Sequence, residues 1–393
     1  MTTRLSSSPD TISPSPTVPA DARAVLRIDL AALRANWARL NREAGHAEVA
    51  GVIKADAYGL GLEPIARALT EAGARTFFVA TLEEGRRTRA IQPGAAIYIL
   101  DGLLPGAEAH YAGFDLRPVL SSEPELRDWA AYCTHIGRHL PAAVQLDTGM
   151  NRLGLRAAEV VRVAAEPALF AAFKMTLVMS HLACADEPSN PMNEAQRALF
   201  NELRAKLPPA PASLSNSGGT FLGAQYHYDL VRPGIAVYGG RAFEGAENPM
   251  LPVVSLSARI LQLRDCAPGE VVGYGATFKV TRPSRMATIA CGYADGFLRA
   301  LSGPSGHPGP VGYIGAHPVP VVGRVSMDLI TVDVTDVPPP LAARGNWVEV
   351  MGGRVTLDDL TDRAGTIGYE LLARLSKRVH RIYEGQASGT GLG

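Results

Sequence analysis

Residues 50–61 read AGVIKADAYGLG. Ala50 to Ile53 is a short apolar run that suits a buried strand, and Lys54 stands where that strand gives way to a loop. An ammonium group is costly to leave at the end of a buried strand unless something uses it. The helical pattern LEPIARALTEAG follows at once, so the unit is strand, loop, helix. Working outward, the same unit recurs between residues 25 and 240. After a leading helix over residues 30–43 come eight strand-like runs: EVAGVIKA, TFFVAT, AAIYIL, LRPVLS, AAVQLDT, MTLVMSHL, PASLSNS and LVRPGIAVYG. Strands alternating with helices predict parallel pairing, and eight such units predict a (β/α)8 TIM barrel.

The texture changes after about Leu251. Short strands broken by Gly and Pro follow, among them VVSLSARILQL, EVVGYGATF, RMATIACGY and HPVPVVGRVSMDLITVDV, and a final helix is expected in YELLARLSKRV. The chain therefore divides into a Ser/Thr/Pro-rich tail (1–24), a barrel (25–250), a mostly-β domain (251–384) and a second tail (385–393). The segment VLRIDL near residue 25 is strand-like and is expected to pair with the second domain.

Composition narrows the function. The 393 residues carry 38 basic and 38 acidic side chains, so no electrostatic footprint for nucleic acid or an anionic membrane is present. No apolar run approaches the ~20 residues of a membrane span. The four cysteines are scattered, without a CxxC pair, and no secretory signal is read; these features suit reduced thiols and a cytoplasmic protein. No HExxH or Cys/His cluster suggests a metal. Of the 38 basic residues only five are lysine, Lys54 among them. An amine can lose its proton and attack a carbonyl, which a guanidinium practically never does.

Barrel active sites are built from the C-terminal ends of the strands. Reactive groups collect there: Lys54 after the first run, Asp147 and Arg152 after the fifth, His181 at the sixth. Asn216 and Ser217 follow at the seventh, and Arg232 to Gly234 at the eighth. The last two ends are where barrels commonly bind phosphate; SNSGG offers a hydroxyl and RPGIA backbone N–H groups. A lysine beside a phosphate cradle, with no metal motif, points to pyridoxal phosphate held as a Schiff base. A phosphosugar aldolase is the competing reading at this level.

AGVIKADAYGLG closely resembles the cofactor-lysine motif of the alanine racemases. VRPGIAVYG, VVGYGATF, GYADGF, GRVSMDLITVDV and GYELLARLSKRV resemble further segments of that family in the same order, over roughly residues 25–383. The resemblance implies a homodimeric pyridoxal-phosphate enzyme, in which a barrel is followed by a β domain, interconverting L- and D-alanine for peptidoglycan. It implies that Lys54 binds the cofactor and serves as one acid/base, and that Tyr274, reaching the partner subunit's site, serves as the other. A tyrosine of ordinary pKa, about 10, costs about 4 kcal/mol to ionise at pH 7, so His181 and Arg232 are expected as a network reaching Tyr274.

Arg232 also matches the arginine at the pyridine nitrogen, and phosphate contacts carry over to Tyr58, Ser217, Gly234, Ile235 and Tyr369. Arg152 and the backbone at Met327 match the holders of the substrate carboxylate. Tyr293, with Tyr369, resembles the inner gate of the access channel, and Arg299, Arg324, Asp186 and Ile367 match its next layer. One position departs. Where the family often has a carbamylated lysine before DTGMNR, this chain has Gln145, so a chloride ion or Asp147 is expected to balance Arg152. Two other readings stay open: a racemase of wider range, acting on serine for example, and a carrier of pyridoxal phosphate without turnover.

Overall fold

In the computed structural model, which describes residues 18–385, seven short strands run parallel in chain order around a curled sheet. They are Gly51–Val52, Thr76–Val79, Ala96–Ile99, Arg117–Leu120, Pro141–Gln145, Lys174–Met179 and Ala212–Ser213. An eighth, Leu230–Val231, spans the gap between the sheet's edges. It pairs parallel with Glu48–Val49, while the N–H groups of Asp229 and Arg232 donate to Ala212 O (3.1 Å) and Ser215 O (2.9 Å). The protein is α/β, with an N-terminal TIM-like barrel as the sequence predicts.

The run EVAGVIKA is two strands rather than one. The Ala50 N–H reaches back to Val231 O at 3.0 Å and the Ile53 N–H forward to Phe78 O at 3.0 Å, so the chain changes partners at the seam. LVRPGIAVYG likewise gives only Leu230–Val231 as strand, and its Gly-containing remainder turns. The barrel strands are buried on both faces, all four residues of Thr76–Val79 included, which is why they read as continuous apolar runs. Around them the helices show single stripes: Leu62–Ala72 buries Leu62, Ile65, Ala66 and Leu69. The leading helix Leu30–Ala44 starts at Asp29, whose carboxylate accepts from the N–H groups of Ala31 and Ala32.

The C-terminal half is antiparallel. Its long strand Val254–Cys266 alternates buried and partly exposed residues along VSLSARI and pairs with Trp347–Met351 on one side. Its far half pairs with Ser284–Ile289, which continues through Ile330–Asp333, His317–Val322 and Val311–Ile314 back to Trp347–Met351. The N-terminal strand Ala24–Asp29 lies in this sheet, antiparallel to Val254–Cys266 and parallel to His380–Glu384.

Two expectations change, and a third falls largely outside the described residues. Residues 1–17 of the expected first tail lie outside those described, but Ala22 is buried against Val25 and Ile382, and Ala24 already opens a strand. The second tail lies outside the described residues from 386 onward. The last helix covers only Gly368–Ala373, because the chain beyond it turns to meet a buried carboxylate: Ser376 N–H donates to Asp295 O, and Arg378 Nε to Asp295 Oδ1 at 2.6 Å. A further helix, Leu357–Ala364, opens with Thr356 and Asp359 capping each other. No helix among the described residues is long and apolar enough to cross a membrane.

Candidate active site

Lys54 follows the first barrel strand and opens a turn of the wrong hand. Ala55, Asp56, Ala57 and Tyr58 have φ of 54°, 55°, 54° and 56°, and none is glycine. The left-handed conformation costs L-residues roughly 1–2 kcal/mol each, so surrounding contacts must impose it. Asp56 Oδ1 accepts from Leu62 N–H (3.2 Å) and Arg87 Nη2 (2.8 Å), and the Asp56 N–H donates to Glu84 Oε1 at 3.0 Å. Lys377 adds an ion pair to Asp56 at 3.3 Å.

The turn places Lys54 on a cavity lined also by Tyr58, His181, Asn216, Ser217, Arg232, Gly234 and Tyr369, with Val52, Phe78 and Leu100 as apolar walls. Burial, then the charge of Arg152, lowers the pKa of the Lys54 amine; Asp101 and Glu84 oppose that shift. Arg232 is 5% exposed. Its guanidinium donates to Ser213 Oγ, to Ser180 O at 2.6 Å and towards His181 Nδ1 at 3.4 Å, and lies over the Phe78 ring. Among the described residues it has no carboxylate partner within ion-pair distance. Burial lowers its pKa to about 9 and leaves it charged at neutral pH.

A guanidinium can only donate, so His181 Nδ1 is the acceptor and Nε2 carries the proton of a neutral ring. Burial, with Arg232, Arg152 and Lys54 adding repulsion, pushes His181 down to about 3. The ring is thus a neutral N–H donor at working pH.

Another part of the cavity lining suits an anion. Ser217 Oγ accepts from the N–H groups of Gly234 (2.8 Å) and Ala236 (3.3 Å). Ser217 opens a turn that the Asn216 side chain caps by accepting from Gly219 N–H. Glycine at position 234 leaves room for the Tyr58 hydroxyl: a Cβ there would stand 2.0 Å from its oxygen, so a larger residue would have to displace it. Tyr58 cannot easily yield, since its ring stacks on Tyr238 with centroids 4.5 Å apart. Burial raises the pKa of Tyr58 strongly, and burial with the charge of Asp186 raises Tyr369 to about 12; both stay neutral donors. Ile235 does not line the cavity. Its side chain packs towards Gly240 and Gly368, leaving only its backbone for a ligand.

A wider cleft shares Lys54, His181, Asn216 and Tyr369 and adds Met150, Arg152, Asp186, Arg241 and Ile367. Gln145, buried at the end of the fifth strand, donates from Nε2 to Leu153 O at 3.2 Å. Asp147 Oδ1 accepts from Gly149 and Asn151 N–H groups, so that oxygen is committed to its own turn. No carboxylate lies within ion-pair distance of Arg152 among the described residues.

The remaining expected residues form a second group on the antiparallel domain. Tyr274, Tyr293, Arg299, Arg324 and Met327 line neither of these spaces within one chain. They are exposed, Tyr274 at 72% and Met327 at 54%. Tyr274 lies in a short turn between Val271–Val272 and Phe278–Lys279, with Gly275 against the Arg324 guanidinium. Tyr293 and Ala294 donate backbone N–H groups to Ser326 O and Met327 O, both at 3.0 Å. The His181–Arg232 link is therefore present, but within one chain Tyr274 does not join them at the cavity.

Several contributors escaped the sequence reading. Ser180 and Ser213 hold Arg232 and stand at the ends of the sixth and seventh strand runs, where the strand-end rule could have found them. Phe78 and Tyr238 read as ordinary core. Glu84 reads as half of a helix cap with Thr81, and nothing local marks its contact with Asp56.

Known proteins resemble this chain over most of its length. Residues 28–242 match the family model "Alanine racemase, N-terminal domain", and residues 253–383 "Alanine racemase, C-terminal domain". An alanine racemase of Rhizobium meliloti is 49% identical over 371 residues, covering 92% of this chain and 97% of its own. A biosynthetic alanine racemase of Agrobacterium fabrum is 46% identical over 91% of this chain and 93% of its own. The crystal structure of alanine racemase from Bartonella henselae with covalently bound pyridoxal phosphate superposes with a TM-score of 0.87. It is 40% identical, over 92% of this chain and 99% of that one.

Proposed function

The chain belongs to the alanine racemase family, and from that premise we propose how its own side chains interconvert L- and D-alanine. It is a pyridoxal-phosphate-dependent amino-acid racemase, an isomerase. The residues fit the cofactor on the structure's own terms: one cavity is lined by a buried guanidinium without a carboxylate partner among the described residues and by a hydroxyl beside N–H groups at a closely packed glycine. Tyr58, Ser217, Gly234, the Ile235 backbone and Tyr369 would hold the phosphate, Arg232 the ring nitrogen, and the Lys54 amine the aldehyde carbon.

Bound pyridoxal phosphate supplies the electron sink that makes the α-proton of the amino acid acidic. Lys54 takes or returns that proton on one face. Its burial favours the free amine that a base must be. Arg232 can donate a hydrogen bond to the ring nitrogen but does not give up its proton there, so it tempers the sink and favours reprotonation over side reactions. Arg152 binds the substrate carboxylate, together with the backbone at Met327. Tyr274 moves the proton on the other face, and the Nε2–H of a neutral His181 is the donor available to steady the phenolate.

Tyr274 and Met327 must then come from a second copy, which supports a homodimer: the cavity holds one base, and the other stands exposed on the antiparallel domain. Arg152, without a carboxylate partner beside Gln145, supports a bound chloride. Full activity in chloride-free buffer, with no anion found near Arg152, would remove that part. The four cysteines stand unpaired, which supports a cytoplasmic protein. Supply of D-alanine to peptidoglycan is the cellular role we infer, and a deletion strain that grows without added D-alanine would count against it.

The observation that carries the mechanism is Lys54 and Arg232 lining one cavity. Proton NMR of L-alanine in heavy water, with the product resolved on a chiral column, tests it. Loss of the α-proton with appearance of D-alanine supports two bases, exchange without inversion removes Tyr274, and a faster reaction with serine moves the reading to a wider-range racemase.

A further inference from the structure

The turn that carries Lys54 is held from outside by one carboxylate. Glu84 stands in the first turn of the helix Leu82–Ile91, three residues after Thr81. There it completes a capping box, accepting from Thr81 N–H at 3.4 Å while Thr81 Oγ accepts from Glu84 N–H at 3.3 Å. A cap needs nothing more. Yet the same carboxylate also accepts from Ala80 N–H at 2.9 Å through Oε2, and from Asp56 N–H at 3.0 Å through Oε1. One side chain thus ties the end of the second barrel strand to the left-handed residues that follow Lys54.

We propose that Glu84 is a positioning residue for Lys54, its carboxylate clamping the left-handed turn so that the amine faces the cavity in one fixed attitude. The clamp lies outside the cavity: Glu84 does not line it. The far side of the turn is held separately, by Asp56 with Leu62 and Arg87, and Arg87 is itself locked to Glu63 by two bonds of 2.8 and 2.9 Å. With Glu84 removed, the Asp56 N–H loses its only acceptor among the described residues, and the strained backbone loses its tie to the end of the second barrel strand.

The cap and the clamp can be separated by one methylene. The helix Leu357–Ala364 of this same chain is capped by Thr356 and an aspartate, Asp359, whose carboxylate accepts from Thr356 N–H at 2.9 Å. Glu84→Asp therefore keeps the cap and its charge but falls short of Asp56. Thr81→Ala does the reverse, weakening the cap and leaving the clamp.

The proposal rests on Lys54 being the residue that binds pyridoxal phosphate, and its test keeps the two apart. Apo full-length protein, wild type and both variants, is mixed with pyridoxal phosphate, quenched with borohydride at intervals, and the adduct on the Lys54 peptide measured by mass spectrometry. Amide hydrogen exchange at Asp56 is followed in the same apo samples, with no cofactor present. Glu84→Asp is expected to slow adduct formation at least tenfold and to speed Asp56 exchange at least tenfold, while Thr81→Ala alters neither beyond twofold. Equal rates in Glu84→Asp and wild type, or equal losses in Glu84→Asp and Thr81→Ala, overturn the clamp. If wild type forms no adduct at Lys54, the cofactor assignment fails instead, and the exchange data alone decide whether Glu84 holds the turn.

Discussion

Arg232 Nη2 faces His181 Nδ1 at 3.4 Å, and since the guanidinium can only donate, the imidazole is neutral with its proton on Nε2. The relationship links two barrel-strand ends, the eighth and the sixth, and fixes the role of each side chain by the other. It also has a consequence for stability.

His181 is pushed down to about 3 by burial first and by its cationic neighbours next, whereas an unfolded histidine titrates near 6.5. Between those values the unfolded chain holds a proton that the folded one does not, so stability rises with pH across the interval. Acidifying from pH 7 to pH 4 is expected to lower the urea midpoint, and to lower it less in His181→Asn. Urea titrations of both proteins at the two pH values check this. An equal fall in both would mean that the ring carries its proton in the folded state.

The pKa of the Lys54 amine is depressed by burial and by Arg152, and held up by Asp101 and Glu84. Asp101→Asn is therefore expected to move the amine further down and Arg152→Gln to move it back up. The pH dependence of Lys54 modification by an amine-reactive reagent, read by peptide mass in the apo protein, gives both directions.

Gly234 tests the anion-binding part of the cavity lining. A Cβ there meets the Tyr58 oxygen at 2.0 Å, and the stacked Tyr238 blocks retreat. Overpacking of this kind costs about 1–3 kcal/mol and is present with or without the cofactor, so Gly234→Ala is expected to lower the melting temperature of the apo protein and, by displacing the Tyr58 hydroxyl, to weaken pyridoxal phosphate binding as well. Equilibrium dialysis and thermal denaturation measure the two effects separately.

Much of this was legible in the sequence because strand ends are where a barrel must place its chemistry. Lys54, His181, Asn216, Ser217 and Arg232 all fall at such ends and line one cavity. Left-handed residues at Ala55–Tyr58 were not legible, since no glycine announces them and tertiary contacts impose them. The last helix was overextended for a similar reason: the LSKRV portion suits a helix, but buried Asp295 draws Ser376 and Arg378 out of it. Glu84 stayed hidden because its local role as a cap is sufficient to explain it.

Separation of the bases gives the sharpest expectation. Lys54 lines the barrel cavity, and Tyr274, 72% exposed, stands on a turn of the other domain away from it. If each site takes its tyrosine from the opposite subunit, Lys54→Ala and Tyr274→Phe homodimers lose activity at both sites, the latter by roughly 10²–10⁴. A heterodimer of the two is different: one site collects both defects and the other collects none. Co-expression in equal amounts makes half the dimers mixed, so activity should return to about a quarter of wild type, as symmetric pairing of two copies requires. Racemisation by the co-expressed pair, carrying different affinity tags so that mixed dimers can be isolated, is the measurement. Mixed dimers as inactive as their parents would put both bases in one subunit, and Tyr274 would then need a conformational change to reach Lys54.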